Sequence, residues 1–227
     1  MSPRYGFELA QLMELAGQAV AHAVALAVPE PAPGSAVSVA VAVGPGNNGG
    51  DGLVAARHLK LLRPGWRVGA VAPKTRFAGL VTSATASGVQ FADSVTDLVA
   101  PAGPTVLVDA LFGFSFDGSS GVRAPFRALL GQLDDAAAAR DALLVAVDVP
   151  SGWHVERGRV YDAATRVPDV LVSLSAPKLV ARALPTRPDG SPVPHYVGGR
   201  FVPDALAAEL GIVLPRYDGL DLVTRIA

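Results

Sequence analysis

The sequence predicts an α/β fold: a three-layer, Rossmann-like, doubly wound and mostly parallel sheet with helices on both faces. Apolar runs of strand length alternate with helical patterns, which is typical of parallel strands joined by helical crossovers. The runs are apolar throughout, as expected for strands that are buried on both faces. With 227 residues, half of them hydrophobic, the chain is long enough to bury one large core. We therefore expect a single domain over residues 1–227.

The predicted elements follow one another along the chain. An Ala-rich helix covers residues 9–28, and the polar residues Glu14, Gln18 and His22 argue against a membrane span there. A linker rich in proline and glycine follows. Strands are predicted at residues 37–43, 67–72, 89–92, 105–111, 143–149 and 170–174, and helices at residues 53–62, 78–87 and 125–139. The last segment, residues 195–227, has one short helical pattern at 203–210 and is predicted to be a tail that wraps around the domain.

Composition excludes several classes of function. The formal net charge is −1, with 19 basic and 20 acidic residues, so counterion release would contribute little and no nucleic-acid partner is expected. The absence of cysteine excludes disulfides, thiol nucleophiles and thiolate metal sites. The first residues lack the arrangement of a signal peptide. We expect an intracellular soluble protein in the cytoplasm, or in mitochondria if an N-terminal segment was removed, and no membrane partner.

The first candidate site is the loop after the first predicted strand. The motif Gly44-x-Gly-x-x-Gly matches the dinucleotide fingerprint, in which glycines let backbone N–H groups approach a phosphate at a helix N-terminus. Asn47, Asn48 and Asp51 are unusual there, because ordinary fingerprints carry small apolar residues at these places. These side chains can bind a polar ligand or a cation. Alternatively, the motif only shapes a turn and Asp51 caps the following helix.

The residues after the second predicted strand keep a second kind of enzyme open. A standard NAD site has an acidic residue about 20 positions after the fingerprint to bind the ribose. Here the strand leads instead to Pro73, Lys74 and Arg76. The two basic side chains can accept a 2′-phosphate, as in an NADP-dependent oxidoreductase, or lie in a solvated loop. No Tyr-x-x-x-Lys pair supports the oxidoreductase, and no Walker A motif or serine-hydrolase motif is present.

Two other predicted strands each carry a carboxylate to the same edge of the sheet. Asp109 precedes a loop of glycines and aromatic residues whose backbone can hold a phosphate, although Asp109 can equally cap a turn. Asp148 is followed by Ser151 at a predicted turn. In doubly wound sheets, ligands bind beyond the carboxyl ends of the strands. Asp148 is therefore our candidate for acid/base chemistry.

Four motifs occur in a defined order along the chain: Gly44-Pro-Gly-Asn-Asn-Gly-Gly-Asp-Gly, Val108-Asp-Ala-Leu-Phe-Gly-Phe-Ser-Phe, Asp148-Val-Pro-Ser-Gly-Trp and Ser175-Ala-Pro-Lys. Together they resemble the NAD(P)H-hydrate epimerases, the YjeF N-terminal domain family. The similarity extends from the segment Gln11-Leu-Met-Glu to the tail that starts at Tyr196, and so covers nearly the whole chain.

The resemblance implies an isomerase that interconverts the R and S forms of hydrated NADH or NADPH. It also implies a potassium ion bound by Asn48, Asp109 and Ser151, an oxygen-only set that suits a hard cation. The implied substrate-binding residues are Asn47, Asn48, Gly49, Gly50, Asp51, Gly113, Phe114, Ser115, Phe116, Asp117, Gly118, Ser119 and Asp148. The alternating phenylalanines of this set are otherwise typical of a core.

The resemblance has consequences for partners as well. The family tends to dimerise and includes the apolipoprotein A-I-binding protein, which implies a homodimer and an apolipoprotein-type partner. A binding module that keeps the pocket without the reaction is the non-enzymatic alternative. Ten residues precede Gln11, where the family usually has a longer helical arm. The loop after Phe116 is two residues longer than expected and lacks a lysine, so the end of the substrate-binding set near Ser119 is loosely defined.

Overall fold

The computed structural model describes residues 5–29, 31–32, 35–117, 121–140, 142–159 and 166–227. In these ranges the α-helices are α1 Leu9–Ala27, α2 Asn47–Leu62, α3 Ala78–Ala86, α4 Phe126–Arg140 and α5 Asp204–Leu210. The strands are β1 Ser38–Val43, β2 Arg67–Val71, β3 Gln90–Phe91, β4 Thr105–Ala110, β5 Leu143–Val147, β6 Val170–Leu174, β7 His195–Gly198 and β8 Val223–Arg225.

The strands of the described residues form one eight-stranded sheet in the order β3-β2-β1-β4-β5-β6-β7-β8. All neighbours are parallel except β7 and β8, which are antiparallel. The chain moves outward from β1 in one direction through β3 and then in the other from β4. The strand order therefore reverses between β1 and β4, and the carboxyl ends of these two strands border the crevice where such sheets bind ligands. The predicted α/β class with a mostly parallel sheet is confirmed.

Helices cover both faces of the sheet, as the alternation of side chains along β1 illustrates. Val39 and Val41 belong to the core that α1 and α2 share with the sheet. Ala40 and Ala42 point the opposite way, into the core that the sheet shares with α4. Because helices pack on both faces of the sheet, the domain has the three layers that the sequence predicts.

Helix α1 is long and apolar enough to cross a membrane by length and composition alone. In the structure one side of α1 is buried against α2 and the sheet. Its start is capped, because the Gln11 side chain accepts a hydrogen bond from the Glu8 N–H at 2.8 Å. Glu14 forms an ion pair with Arg57 of α2 and lies 2.7 Å from Nε2 of His58. The segment that begins at Gln11 therefore attaches α1 to α2.

Several predicted boundaries differ from the structure. Helix α2 begins at Asn47 rather than at residue 53, so six of the nine residues of the predicted loop 44–52 belong to the helix. Asparagine and glycine are weak helix formers, and here the burial of that turn overrides their propensity. Strand β5 ends at Val147 and leaves Asp148 in a turn. The tail contributes β7 and β8 to the sheet, which the sequence prediction missed.

Candidate active site

A cleft of about 720 Å³ opens at the carboxyl ends of the central strands. Its polar wall comes from the start of α2 and from the segments that follow β4, β5 and β6. Its opposite wall is apolar and comes from the start of α1 and from residues 201–212, with the side chains of Leu9, Leu12, Met13, Phe201, Val202, Leu206, Leu210 and Ile212. The volume and the mixture of a broad apolar wall with a few polar groups are typical of small-molecule sites.

The N-terminus of α2 forms one end of this cleft. The helix starts after Gly46, and its first N–H groups have no carbonyl of the same helix to bond. These N–H groups and the helix dipole favour an anion. Asn47 at this end accepts a hydrogen bond of 2.7 Å from the guanidinium of Arg76, which also lies 5.0 Å from the centre of the Phe77 ring. This end of the cleft is therefore electropositive.

Asp148 lies at the centre of the polar wall in an unusual backbone conformation. Its φ is 67°, in the left-handed region that aspartate tolerates better than most residues. Its N–H still donates to Val172 O at 2.7 Å, so the neighbouring strand holds the turn. The carboxyl is buried, accepts a hydrogen bond from the Phe114 N–H at 2.9 Å and forms an ion pair with Lys178. A strained residue that carries a buried carboxylate into a cleft is typical of a functional position.

Lys178 is the site residue that sequence reasoning missed. Its Nζ pairs with Asp148, donates to Leu174 O at 2.6 Å and lies 5.9 Å from the centre of the Phe114 ring. It comes from the motif Ser175-Ala-Pro-Lys, which contributes to the resemblance. No spacing rule linked that motif to Asp148, because the pairing depends on the turns after β5 and β6.

Asp51 adds a second carboxyl group to the cleft. It is half-buried in α2 and lines the same cleft as Asp148. Burial raises the pKa of Asp51 well above its ordinary value; the negative charge of Asp148 raises it further, and Lys178 acts in the opposite direction. The cleft therefore holds two carboxyl groups in different electrostatic settings.

Asp109 and Ser151 lie close together but do not line the cleft. Asp109 accepts hydrogen bonds from the Ser151 N–H at 2.8 Å, the Ser151 hydroxyl at 2.6 Å and the Leu111 N–H at 3.1 Å. The same hydroxyl accepts from the Phe112 N–H at 3.0 Å. Burial raises the pKa of Asp109, although the hydrogen bonds from Ser151 and Leu111 lower it. This cluster joins the end of β4 to the turn after β5.

Replacing Ser151 by alanine is expected to destabilise the fold by about 1 to 3 kcal/mol, because it removes a buried hydroxyl that both donates and accepts. Urea unfolding of wild type and Ser151→Ala measures the effect. Ser191→Ala is the matched control, since that hydroxyl donates to Asp189 in a surface turn and has no other hydrogen-bond partner among the residues that the structure describes. The control should change stability by less than about 0.5 kcal/mol. Equal effects of the two substitutions would contradict the assigned cluster.

The structure brings most of the predicted substrate-binding residues to the cleft. Those that line it are Asn47, Asn48, Asp51, Gly113, Phe114, Ser115, Phe116 and Asp148. Gly49 and Gly50 are buried in the first turn of α2 and do not line the cleft, and Asp117 is exposed outside it. Gly118 and Ser119 lie outside the described residues. The binding roles of all these residues stay predictions.

The predicted potassium ligands and the phenylalanines divide between the cleft and its surroundings. Asn48 lines the cleft, and its amide nitrogen donates to Val147 O at 3.3 Å. The other two predicted ligands, Asp109 and Ser151, lie behind the cleft wall. Phe112 stacks on Phe116 with ring centres 4.4 Å apart, whereas Phe114 is 64% exposed at the mouth of the cleft. Phe114 is therefore available to contact a ligand.

Residues 9–180 match the family described as YjeF-related protein N-terminus. The chain belongs to this family. As a member of the YjeF-related family, it is also similar in fold to a crystal structure of the yeast protein YNL200c. The TM-score of that comparison is 0.85 at 36% sequence identity, over 100% of this chain and 93% of the yeast chain.

Three similar proteins differ in how much of their own length the match covers. The chain is 39% identical over 226 residues to the NAD(P)H-hydrate epimerase of Aedes aegypti, covering 98% of this chain and 92% of that protein. It is 41% identical over 231 residues to the protein of the same name from Anopheles gambiae, with the same coverage of 98% and 92%. It is 42% identical over 232 residues to Pyridoxine/pyridoxamine 5'-phosphate oxidase 1, chloroplastic, of Arabidopsis thaliana. That match covers 97% of this chain but only 41% of the longer Arabidopsis protein.

Proposed function

We propose that this chain is an NAD(P)H-hydrate epimerase, an isomerase that interconverts the R and S forms of hydrated NADH or NADPH. The observation that carries the proposal is the cleft itself. It combines an electropositive helix N-terminus with two carboxyl groups, Asp51 and Asp148, beside the single cleft-lining lysine of the described residues, Lys178. The similarity to relatives that bear this name extends over nearly the whole chain.

Substrate orientation follows from the charge distribution in the cleft. The phosphates of a dinucleotide fit the start of α2, where the free N–H groups and the guanidinium of Arg76 favour negative charge. The apolar wall formed by α1 and residues 201–212 suits the faces of the rings. With its phosphates bound at the start of α2, the substrate would place its hydrated nicotinamide ring in the part of the cleft that contains Asp148 and Lys178.

The reaction inverts a carbon that carries a hydroxyl group next to the ring nitrogen. Inversion can proceed by loss and return of water or by opening of the carbinolamine, and both routes need proton transfer. Asp148 is our candidate for the acid/base group, because its carboxyl is held in the cleft by the Phe114 N–H and by Lys178. General acid/base catalysis contributes about 10² to 10⁴ in rate.

The residues at the end of β4 fit a hard monovalent cation such as potassium. Asp109 is buried, and no lysine, arginine or histidine in the described part of the chain forms an ion pair with it. The Asn48 amide uses its nitrogen on Val147, so its oxygen is the atom that remains for a cation. With the Ser151 hydroxyl, these three side chains would hold potassium. When bound, the ion would neutralise Asp109 and connect the segments that surround the cleft.

Potassium is expected to raise the melting temperature of the protein above its value in lithium chloride at the same ionic strength. At about 100 times the dissociation constant, binding would add about 2.7 kcal/mol, and each kcal/mol raises the melting temperature of a chain of this size by about 2 to 4 °C. Asn48→Ala should lose the potassium-specific rise, whereas the neighbouring Asn47→Ala should keep it. Identical melting temperatures of wild type in both salts would exclude the site.

The function is tested by supplying the protein with the pure R hydrate of NADH in the presence of an S-specific dehydratase. Recovery of the absorbance of reduced nicotinamide, at a rate that depends on this protein, is the expected result. No recovery above the protein-free blank would overturn the proposal. A dependence of the absorbance change on an added carbonyl substrate would support the NADP-dependent oxidoreductase instead. The homodimer and the apolipoprotein-type partner stay predictions from the resemblance.

A further inference from the structure

The described lining of the cleft contains only three titratable side chains, Asp51, Asp148 and Lys178. Lys178 has two partners, because its Nζ pairs with Asp148 and donates to Leu174 O at 2.6 Å. Asp148 is engaged as well, with Lys178 on one oxygen and the Phe114 N–H on the other. By contrast, no hydrogen bond or ion pair from a described residue reaches the Asp51 carboxyl.

These contacts give the two carboxyl groups different surroundings. Asp148 has a cation and a backbone donor beside it, both of which stabilise a carboxylate. Asp51 has no such partner among the described residues, and the negative charge of Asp148 acts on it more strongly than the positive charge of Lys178. Two carboxyl groups whose surroundings favour different protonation states are the arrangement that supplies an acid and a base at the same pH.

We propose that Asp51 is the proton donor of the reaction, giving its proton to the departing hydroxyl of the hydrate, and that Asp148 is the base that accepts the proton of the returning water. This inference rests on the proposed epimerase function and assigns Asp51 a role beyond substrate binding. Its raised pKa agrees with this role. The other titratable groups of the described lining are Asp148 and Lys178. The walls from α1 and residues 201–212 contribute no titratable group to it.

The step balances without a further reactant. The carbon–oxygen bond of the hydrate breaks, the proton of Asp51 joins the leaving oxygen to form water, and the ring nitrogen donates its electron pair to form an iminium ion. A negative charge on Asp148 would stabilise that positive charge. Water then adds to the opposite face of the ring, the electron pair returns to nitrogen, and Asp148 accepts the proton that the water loses. Proton exchange with solvent restores both carboxyl groups for the next turnover. The hydroxyl oxygen of the substrate is a better proton acceptor than the ring nitrogen, because the electron pair of that nitrogen is delocalised towards the carboxamide.

Asp51→Asn tests the assignment, since asparagine keeps the size of the side chain and cannot donate an acidic proton. The rate of conversion of the pure R hydrate is measured against pH for wild type and variant. Because an acid acts only when protonated, the wild-type kcat should fall as the pH rises through the pKa of Asp51. In Asp51→Asn, kcat should be lower by about 10² to 10⁴-fold and should lose this alkaline fall, while KM changes little. Asp97→Asn, on an exposed residue outside the cleft lining, is the control.

The outcomes separate the two proposals. An Asp51→Asn variant with a wild-type kcat and pH profile, or with a raised KM alone, would overturn the donor role while the epimerase function stands. No conversion by wild type above the blank would overturn both. A folding defect is checked by thermal unfolding near neutral pH. Because burial penalises the ionised carboxyl of Asp51 as the pH rises above its ordinary pKa, Asp51→Asn should melt at or above the wild-type temperature.

Discussion

Asp148→Asn is expected to lower kcat for epimerisation by about 10² to 10⁴-fold. Asparagine has nearly the same shape, tolerates the left-handed conformation at φ 67° and can still accept the hydrogen bond from Phe114. The turn should therefore survive, while the negative charge beside Lys178 is lost. The measurement is the initial rate of conversion of the pure R hydrate at saturating concentration, with the fold checked by circular dichroism.

The matched control for this substitution is Asp169→Asn. Asp169 is also next to a strand and also accepts a backbone hydrogen bond, from the Leu144 N–H at 2.8 Å, but it lies before β6 rather than after a strand. Asp169→Asn should keep the wild-type rate. A full rate in Asp148→Asn, or an equal loss in the two variants, would remove Asp148 from the mechanism.

The largest expected effect on stability comes from Gly44→Ala, at the end of β1. A Cβ at Gly44 would lie 1.7 Å from the carbonyl oxygen of Leu111, which is a backbone atom that cannot move aside without separating β1 from β4. We expect a loss of about 3 kcal/mol or more, at the upper end of the overpacking range. Out of a total of about 5 to 15 kcal/mol for a typical domain, this would leave the protein partly unfolded at moderate temperature. Guanidinium unfolding measures the loss.

Gly46→Ala is the matched control, because it makes the same chemical change two positions further along the same loop. No atom lies within 4 Å of a Cβ built at Gly46, and its backbone angles of φ −98° and ψ −167° suit any residue. Alanine at this N-cap position should cost about 0.5 to 1 kcal/mol. If Gly44→Ala were as stable as Gly46→Ala, the close contact between the ends of β1 and β4 would be wrong.

This pair of glycines also shows what the fingerprint in the sequence does. The motif predicts a backbone that approaches a phosphate. In the structure, the first glycine is required by the contact of two strand ends, and the second opens the start of α2 to the cleft. The sequence pattern cannot separate these two positions, because glycine occupies both, although only Gly44 lies in a contact that excludes a side chain.

The central strands were predictable because they are buried on both faces and so have uninterrupted apolar sequences, as in β1 and β4. Strands β7 and β8 were not. They have four and three residues, too few for a pattern, and they form only because the edge of the sheet is there to pair with them. The start of α2 was mistaken for loop because its polar and glycine-rich turn is stabilised by burial rather than by propensity.

The positions of the two strand-end acids followed from the parallel topology, but their different surroundings did not. Asp148 enters the cleft because its φ is positive, and Asp109 stays behind the wall because Ser151 and Leu111 bond it there. Neither turn conformation is encoded in a residue spacing. The partnership of Asp148 with Lys178 depends on both turns, so the charge pattern of the cleft became visible only in three dimensions.

The measurement that tests the proposed function most directly follows the two epimers themselves. Pure R hydrate and pure S hydrate of NADH are incubated separately with the protein, and the R to S ratio is followed by chromatography. We predict that wild type brings both samples to the same final ratio faster than the protein-free blank, and that Asp148→Asn does so far more slowly. Wild-type samples that keep their starting composition for as long as the blank does would contradict the assignment of this cleft as an epimerase site.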